Sequence, residues 1–152
     1  MIEIFVDGDA CPVKEETYVV ATRYEVPVVL VANSRMRVPS DLGVEMIVVD
    51  QGPDAADDWI VANVRSGDVV VTADIPLAAR CLEAGAFVLG TNGRVFDEDS
   101  IGGQLAVRDL KTNLRESGIE SGGPPPISAK ERSRFLSKLD ELVQAGLRGH
   151  RS

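Results

Sequence analysis

Short apolar runs alternate with amphipathic segments along the first 90 residues of the chain. The runs are rich in valine and isoleucine and cover residues 2–6, 26–31, 44–49, 69–72 and 86–89. Between them, segments 13–24, 54–64 and 76–84 carry apolar residues at helical spacing. Strands that are apolar on both faces and separated by helices predict a parallel sheet in an α/β fold. With right-handed crossovers, we expect the strand order 3-2-1-4-5, which reverses direction between strands one and four.

The last third of the chain has a different pattern. Residues 97–116 predict a longer helix, and residues 117–126 (SGIESGGPPP) predict a hinge. Ser128 and Glu131 form a capping-box pattern that opens a last helix over residues 128–147. We therefore expect an α/β domain over residues 1–120. Residues 121–152 then supply the hinge and a C-terminal helix that packs on this domain or extends from it.

Composition narrows the class of protein. The 152 residues are 44% hydrophobic and 26% charged, as in globular domains. Since no apolar run approaches a membrane span and no signal peptide is visible, we expect a soluble, cytoplasmic protein. Cys11 and Cys81 are far apart and predict neither a disulfide nor a zinc site. Because the one histidine, His150, lies near the end, carboxylates are the better candidates for chemistry.

Charge is unevenly distributed along the chain. The net charge of −8 argues against a protein that coats nucleic acid by bulk attraction. Residues 1–123 carry 10 basic and 21 acidic side chains, a net of −11, whereas residues 124–152 carry 6 basic and 3 acidic, a net of +3. A basic tail that meets a phosphate backbone and a solvated basic helix both fit this asymmetry.

Aspartates follow two strands that the predicted order places side by side. Asp7 and Asp9 end strand one in FVDGDACPVK, and Thr72 and Asp74 follow strand four. Ligands of open α/β sheets bind where the strand order reverses, which is the edge that these residues share. The helix after strand three adds Asp54, Asp57 and Asp58.

Carboxylate oxygens without histidine or thiolate partners suit Mg²⁺ or Mn²⁺. We therefore take three residues as candidate catalytic groups: Asp7, Asp9 and Asp74. The candidate metal ligands are Asp7, Asp57, Asp58 and Asp74. The alternative is that some of these aspartates only cap helices, which is strongest for Asp54 and Asp74 and weakest for Asp7. Cys11 and Cys81 are interpreted as packing residues.

Several polar side chains are candidate substrate contacts at the same edge. They are Asn33, Arg35 and Arg37 after strand two, Thr72 after strand four, and Arg94 in the turn GTNGR after strand five. Exposed loop arginines that are merely solvated are the alternative. In the last helix, Lys130, Arg132 and Arg134 are candidates for contact with a phosphate backbone.

Five stretches together resemble the bacterial YaiI/YqxD family, a set of proteins of uncharacterised function. They are VDGDACPV, VDQGPDAADDWI, VVTADIPLAA, AVRDLKTNLRESG and GGPPPISAKERSRFLSKLD, and the likeness runs from about residue 3 to residue 142. That family is placed among PIN-like domains, many of which are metal-dependent ribonucleases. The resemblance implies a three-layer α/β/α sandwich. It also implies an acidic site with Asp7 after strand one, Asp74 after strand four, and Asp57 or Asp58 as the middle acidic ligand.

Three hypotheses of function follow. The first is a Mg²⁺- or Mn²⁺-dependent nuclease that acts on RNA, in which Asp9 orients water. The second is a phosphatase of the haloacid-dehalogenase kind, with Asp7 as nucleophile and Asp9 as acid/base. Against it, Cys11 stands where threonine or valine is expected, and no lysine precedes strand four. The third is a non-catalytic module that binds RNA or a protein.

Overall fold

The computed structural model describes residues 2–9, 11–35, 38, 43–49, 54–97 and 127–149. Within these ranges the chain forms six strands and four helices. In chain order they are β1 (Ile4–Asp7), α1 (Lys14–Tyr24), β2 (Val28–Ala32), β3 (Val44–Val48), α2 (Ala55–Asn63), β4 (Val69–Val71), α3 (Ile75–Glu83), β5 (Phe87–Leu89), β6 (Val95–Phe96) and α4 (Ala129–Gly149). Of the predicted 97–116 helix only Asp97 is described, and the predicted hinge lies outside the described residues.

The strands form one sheet in the order β3-β2-β1-β4-β5-β6. Strands β1 to β5 are parallel, so the predicted order 3-2-1-4-5 is confirmed. Strand β6 was not predicted. It pairs antiparallel with β5 after a tight turn in which Gly93 has a φ of 87°. Because β1 and β4 are neighbours whose onward connections run to opposite sides, their carboxyl ends form the switch point of the sheet.

Alternate side chains of each strand pack into two hydrophobic cores, one on each face of the sheet. Ile4 and Val6 of β1 pack with α1 and α4, and Phe5 packs with α2 and α3. The central strands are buried on both faces, which explains their continuous apolar sequence. The described elements therefore form the predicted three-layer α/β/α arrangement, with α1 and α4 on one side and α2 and α3 on the other.

The C-terminal helix α4 packs against this sheet. Phe135, Leu139 and Val143, at helical spacing, are fully buried in the same core as Ile4. Gly146 lies so close to Gly67 that an added Cβ would be 2.5 Å from the Gly67 carbonyl oxygen. The sequence left open whether this helix packs on the sheet or extends from it, and in the described residues it packs. The domain boundary expected at residue 120 lies outside the described residues.

Helix ends follow the local sequence. The predicted capping box is confirmed: the Glu131 amide donates to Ser128 Oγ at 3.1 Å, and the Ser128 amide donates to Glu131 Oε1 at 3.0 Å. Helix α1 ends at Tyr24, and its C-cap residue Glu25 has a left-handed φ of 55°. None of the helices in the described ranges is long and apolar enough to cross a membrane.

Candidate functional site

Asp7 and Asp74 are connected through one buried hydroxyl. Thr72 Oγ1 donates to Asp7 Oδ2 at 3.0 Å and accepts from the Asp74 amide at 2.9 Å. Thr72 is only 1% exposed, so this bond is shielded from water. Thr72, which the sequence suggested as a substrate contact, is therefore bonded to the Asp7 carboxylate in this structure. The ends of β1 and β4 present their aspartates at the same edge of the sheet.

Asp74 has a structural task as well. It is the N-cap of α3, and its Oδ1 accepts from the Leu77 amide at 3.0 Å. Pro76 follows in the first turn, where its missing N–H costs nothing. The capping interpretation of Asp74 is therefore confirmed. The Asp74 carboxylate thus accepts from the helix, while the Asp74 backbone amide donates to Thr72.

Asp57 interacts electrostatically with Asp7 and Asp74. It lies in the first turn of α2 and is half-buried. Burial, together with the charges of Asp74, Asp7 and Asp54, raises the pKa of Asp57 to about 6, against an opposing effect of Arg80. Burial also raises the pKa of Asp7, opposed by the Thr72 hydrogen bond and reinforced by the charges of Asp74 and Asp9. Asp7, Asp57 and Asp74 therefore repel one another across a partly buried notch, which we call the acidic notch.

Asp58 and Asp54 differ from Asp57 although they are close in sequence. Asp58 Oδ1 accepts from Arg80 Nη1 at 3.0 Å, and the Asp58 side chain is 64% exposed. Asp54 is the N-cap residue of α2, but its side chain makes no capping hydrogen bond. Of the two candidates for the middle acidic ligand, Asp57 is the one coupled to Asp7 and Asp74.

Asp9 links two loops through a hydrogen bond. Its Oδ2 accepts from the Asn33 amide at 3.0 Å, which joins the loop after β1 to the loop after β2. Two predicted substrate contacts, Asn33 and Arg35, therefore lie beside the strand that carries Asp7. Arg35 is exposed, and Arg37 lies outside the described residues.

Basic side chains lie at the other flank of the edge, beyond β5. Arg94 is exposed in the turn between β5 and β6. Arg134 of α4 reaches this turn, where its Nε donates to the Asn92 carbonyl oxygen at 3.1 Å. Arg132 instead binds the start of α1, with Nη1 donating to the Pro12 carbonyl oxygen at 3.0 Å and to Glu16 at 2.9 Å. Arg132 therefore fastens α4 to α1.

Lys14 is a further basic residue near the aspartates, and it was not among the predicted site residues. Its Nζ donates to the Cys11 carbonyl oxygen at 3.0 Å, which places an ammonium group on the loop that follows Asp7 and Asp9. The signal was its position at the start of α1, in the same short motif as both aspartates. Lys14 is thus an additional cation at this loop.

The donor chemistry of the acidic notch fits a hard cation. Its candidate ligands are carboxylates, whereas Cys11 and Cys81 are free and buried, and burial raises the pKa of both thiols. Among the described residues, no three acidic, histidine or cysteine side chains are grouped closely enough to hold a metal ion by themselves. Mg²⁺ commonly uses only one or two carboxylates and completes its shell with water and substrate phosphate. A pair such as Asp7 and Asp74 is compatible with that mode of binding.

Known relatives match nearly the whole chain. The sequence profile of the uncharacterised YaiI/YqxD family matches residues 5–145. A UPF0178 protein of Rhodospirillum rubrum is 51% identical over 149 residues, which cover 97% of this chain and 99% of the relative. A UPF0178 protein of Bradyrhizobium diazoefficiens is 55% identical over 141 residues, 93% of this chain and 84% of the relative. No solved structure matches the chain significantly. On this agreement in sequence, the chain belongs to the YaiI/YqxD family.

Proposed function

We propose that this chain is a Mg²⁺- or Mn²⁺-dependent phosphodiesterase, a nuclease that cleaves RNA at the acidic notch. The observation that carries the proposal is the Thr72 hydroxyl that joins Asp7 to Asp74 at the switch point of the sheet. Asp7 and Thr72 are 65 residues apart in sequence, so this hydrogen bond joins the ends of two distant strands at one edge of the sheet. Their mutual repulsion with Asp57 favours a cation over an empty notch.

Each residue of the notch has a distinct part in this proposal. Asp7 and Asp74 would hold the cation, and Thr72 fixes the orientation of Asp7. Asp57, with a pKa of about 6 before a cation binds, lies near the value at which a carboxylate exchanges protons in neutral solution. Asp9 keeps the loops after β1 and β2 together. When bound, a divalent ion lowers the pKa of water and stabilises the leaving oxygen of a phosphodiester.

Asp7→Asn tests the catalytic assignment directly. The substitution keeps the shape of the side chain and its bond to Thr72, but removes the charge that a cation needs. Loss of several kcal/mol of charge stabilisation corresponds to a fall of about 100-fold or more in rate. The assay follows cleavage of a 5′-labelled single-stranded RNA in the presence of Mn²⁺.

Glu83→Gln is the matched control, since Glu83 is an exposed acid at the far end of α3. It should cleave at the wild-type rate. Equal cleavage by the wild type and the Asp7→Asn variant would refute the proposal, as would cleavage that persists in EDTA. A phosphorylated Asp7 trapped during turnover would replace it with the phosphatase mechanism.

A further inference from the structure

Exposed arginines lie on both flanks of the acidic notch. The strand order places β1 and β4, which carry the notch, between β2 and β5. Arg35 follows β2 and Arg94 follows β5, and both side chains are exposed. In parallel strands, residues that follow the strands lie along the same edge of the sheet. A row of cation, carboxylates and cation therefore runs across the strand ends.

The row is longer than a single phosphate group. Neighbouring strands are about 4.8 Å apart, so the ends of β2 and β5 are separated by roughly 14 Å. One phosphate group cannot contact both flanks. A nucleic acid strand carries one charge per about 3.4 Å in duplex geometry, so about four nucleotides span the row.

The β5 flank carries more than one cation. Arg134 is anchored to the Asn92 carbonyl through Nε, which uses one of the five N–H donors of its guanidinium group. Hydrogen bonds from Ser128 lower the pKa of Glu131, and the charges of Arg134 and Arg94 lower it further. Arg94 and Arg134 are therefore close enough to act on the same carboxylate. The nearby acids have partners of their own, because Glu16 binds Arg132 and Glu131 closes the capping box.

We infer that this edge is a track for single-stranded nucleic acid, which we call the phosphate track: it comprises Arg35, the acidic notch, Arg94 and Arg134. The strand crosses the ends of β2, β1, β4 and β5, and its outer phosphates contact the arginines with or without a cation. An inner phosphate enters the notch only when a cation is bound there. A single strand suits this path because Asp7 is half-buried, and the flexible backbone of a single strand can lower one phosphate below its neighbours. The inference rests on the proposed function, for which it specifies that the substrate is bound as a single strand and by which arginines.

The test measures binding without cleavage. A 5′-labelled eight-nucleotide RNA is titrated in EDTA and followed by fluorescence anisotropy at several salt concentrations. For single strands each phosphate contact contributes about 0.7 to the slope of log K against log salt. The double variant Arg35→Ala/Arg94→Ala should therefore lower the slope by about 1.4, and should weaken binding by at least about tenfold at low salt.

Arg65→Ala is the matched control. Arg65 is also an exposed arginine, but it precedes β4 and so lies at the opposite edge of the sheet. Its known hydrogen bond uses the backbone amide, which the substitution retains. This variant should keep the wild-type slope and affinity.

Three results would overturn the inference: an unchanged slope in the double variant, an equal loss in Arg65→Ala, or tighter binding of a duplex of the same length. The outcomes that would refute the proposed function differ from those that would refute the phosphate track. Arginine-dependent binding without Asp7-dependent cleavage would remove the nuclease and leave the phosphate track. If cleavage depends on Asp7 but the arginine double variant keeps the wild-type salt slope, the nuclease proposal stands and the phosphate track is refuted.

Discussion

Replacing Asp57 by asparagine should stabilise the cation-free protein at neutral pH. Burial and the charges of Asp74 and Asp7 raise the pKa of Asp57 from 3.8 to about 6. The folded state thus binds this proton more tightly than the unfolded state. Its contribution to stability is fully present below about pH 4 and is lost as the pH rises through about 6. Asparagine has nearly the same shape and carries no charge to bury.

The size of the effect follows from the pKa. A change from 3.8 to about 6 corresponds to at most about 3 kcal/mol at 1.36 kcal/mol per pKa unit. Because the side chain is only half-buried, solvent screening reduces this to about 1 kcal/mol. Asp57→Asn should therefore raise the free energy of unfolding by about 1 kcal/mol at pH 7.5, and by little at pH 4.

Urea denaturation in EDTA at these two pH values measures the difference. Asp58→Asn is the control, because Asp58 lies next in sequence but pairs with Arg80 at the surface, and this variant should gain nothing. A gain for Asp57→Asn that is equal at both pH values, or a loss at pH 7.5, would refute the electrostatic account. With Mn²⁺ added the gain should shrink, because a cation held by Asp7 and Asp74 offsets the repulsion that they exert on the Asp57 charge.

Three further substitutions probe the scaffold by urea denaturation at pH 7.5. Glu25→Gly should gain about 0.5–1 kcal/mol, because glycine adopts the left-handed φ of 55° without strain; a loss would contradict this. Gly146→Ala should lose about 1–3 kcal/mol, since the new methyl group would meet the backbone of Gly67; unchanged stability would mean that α4 can shift. Asp68→Ala should lose about 3 kcal/mol, because the buried carboxylate accepts from the amides of Glu3 and Arg65; a loss below about 1 kcal/mol would show that water replaces it.

Most of the described fold could be predicted because its signals are local. Apolar runs marked β1 to β5, and the capping box of Ser128 and Glu131 marked the start of α4. Strand β6 could not be predicted because a strand of two residues is too short to show an alternating hydrophobic pattern. Its backbone is ordered by pairing with β5, which only the folded chain provides.

The acidic notch was predictable for a different reason. Parallel strands in a known order bring their carboxyl ends together, so Asp7, Thr72 and Asp74 could be grouped from sequence alone. The roles of Asp57 and Asp58 could not be separated in this way. Arg80, which pairs with Asp58, is 22 residues away. No local sequence pattern shows whether Arg80 pairs with Asp57 or with Asp58.

The position of α4 bears on how the protein is synthesised. Ile2, near the amino terminus, is covered by a helix from the opposite end of the chain, where Gly146 lies against it. Helix α1 also packs on that side, so only the surface that α4 buries stays in contact with water during synthesis until α4 has been made. A chain that stops before α4 therefore exposes apolar side chains such as Ile2, and exposed apolar surface makes incomplete chains prone to aggregation.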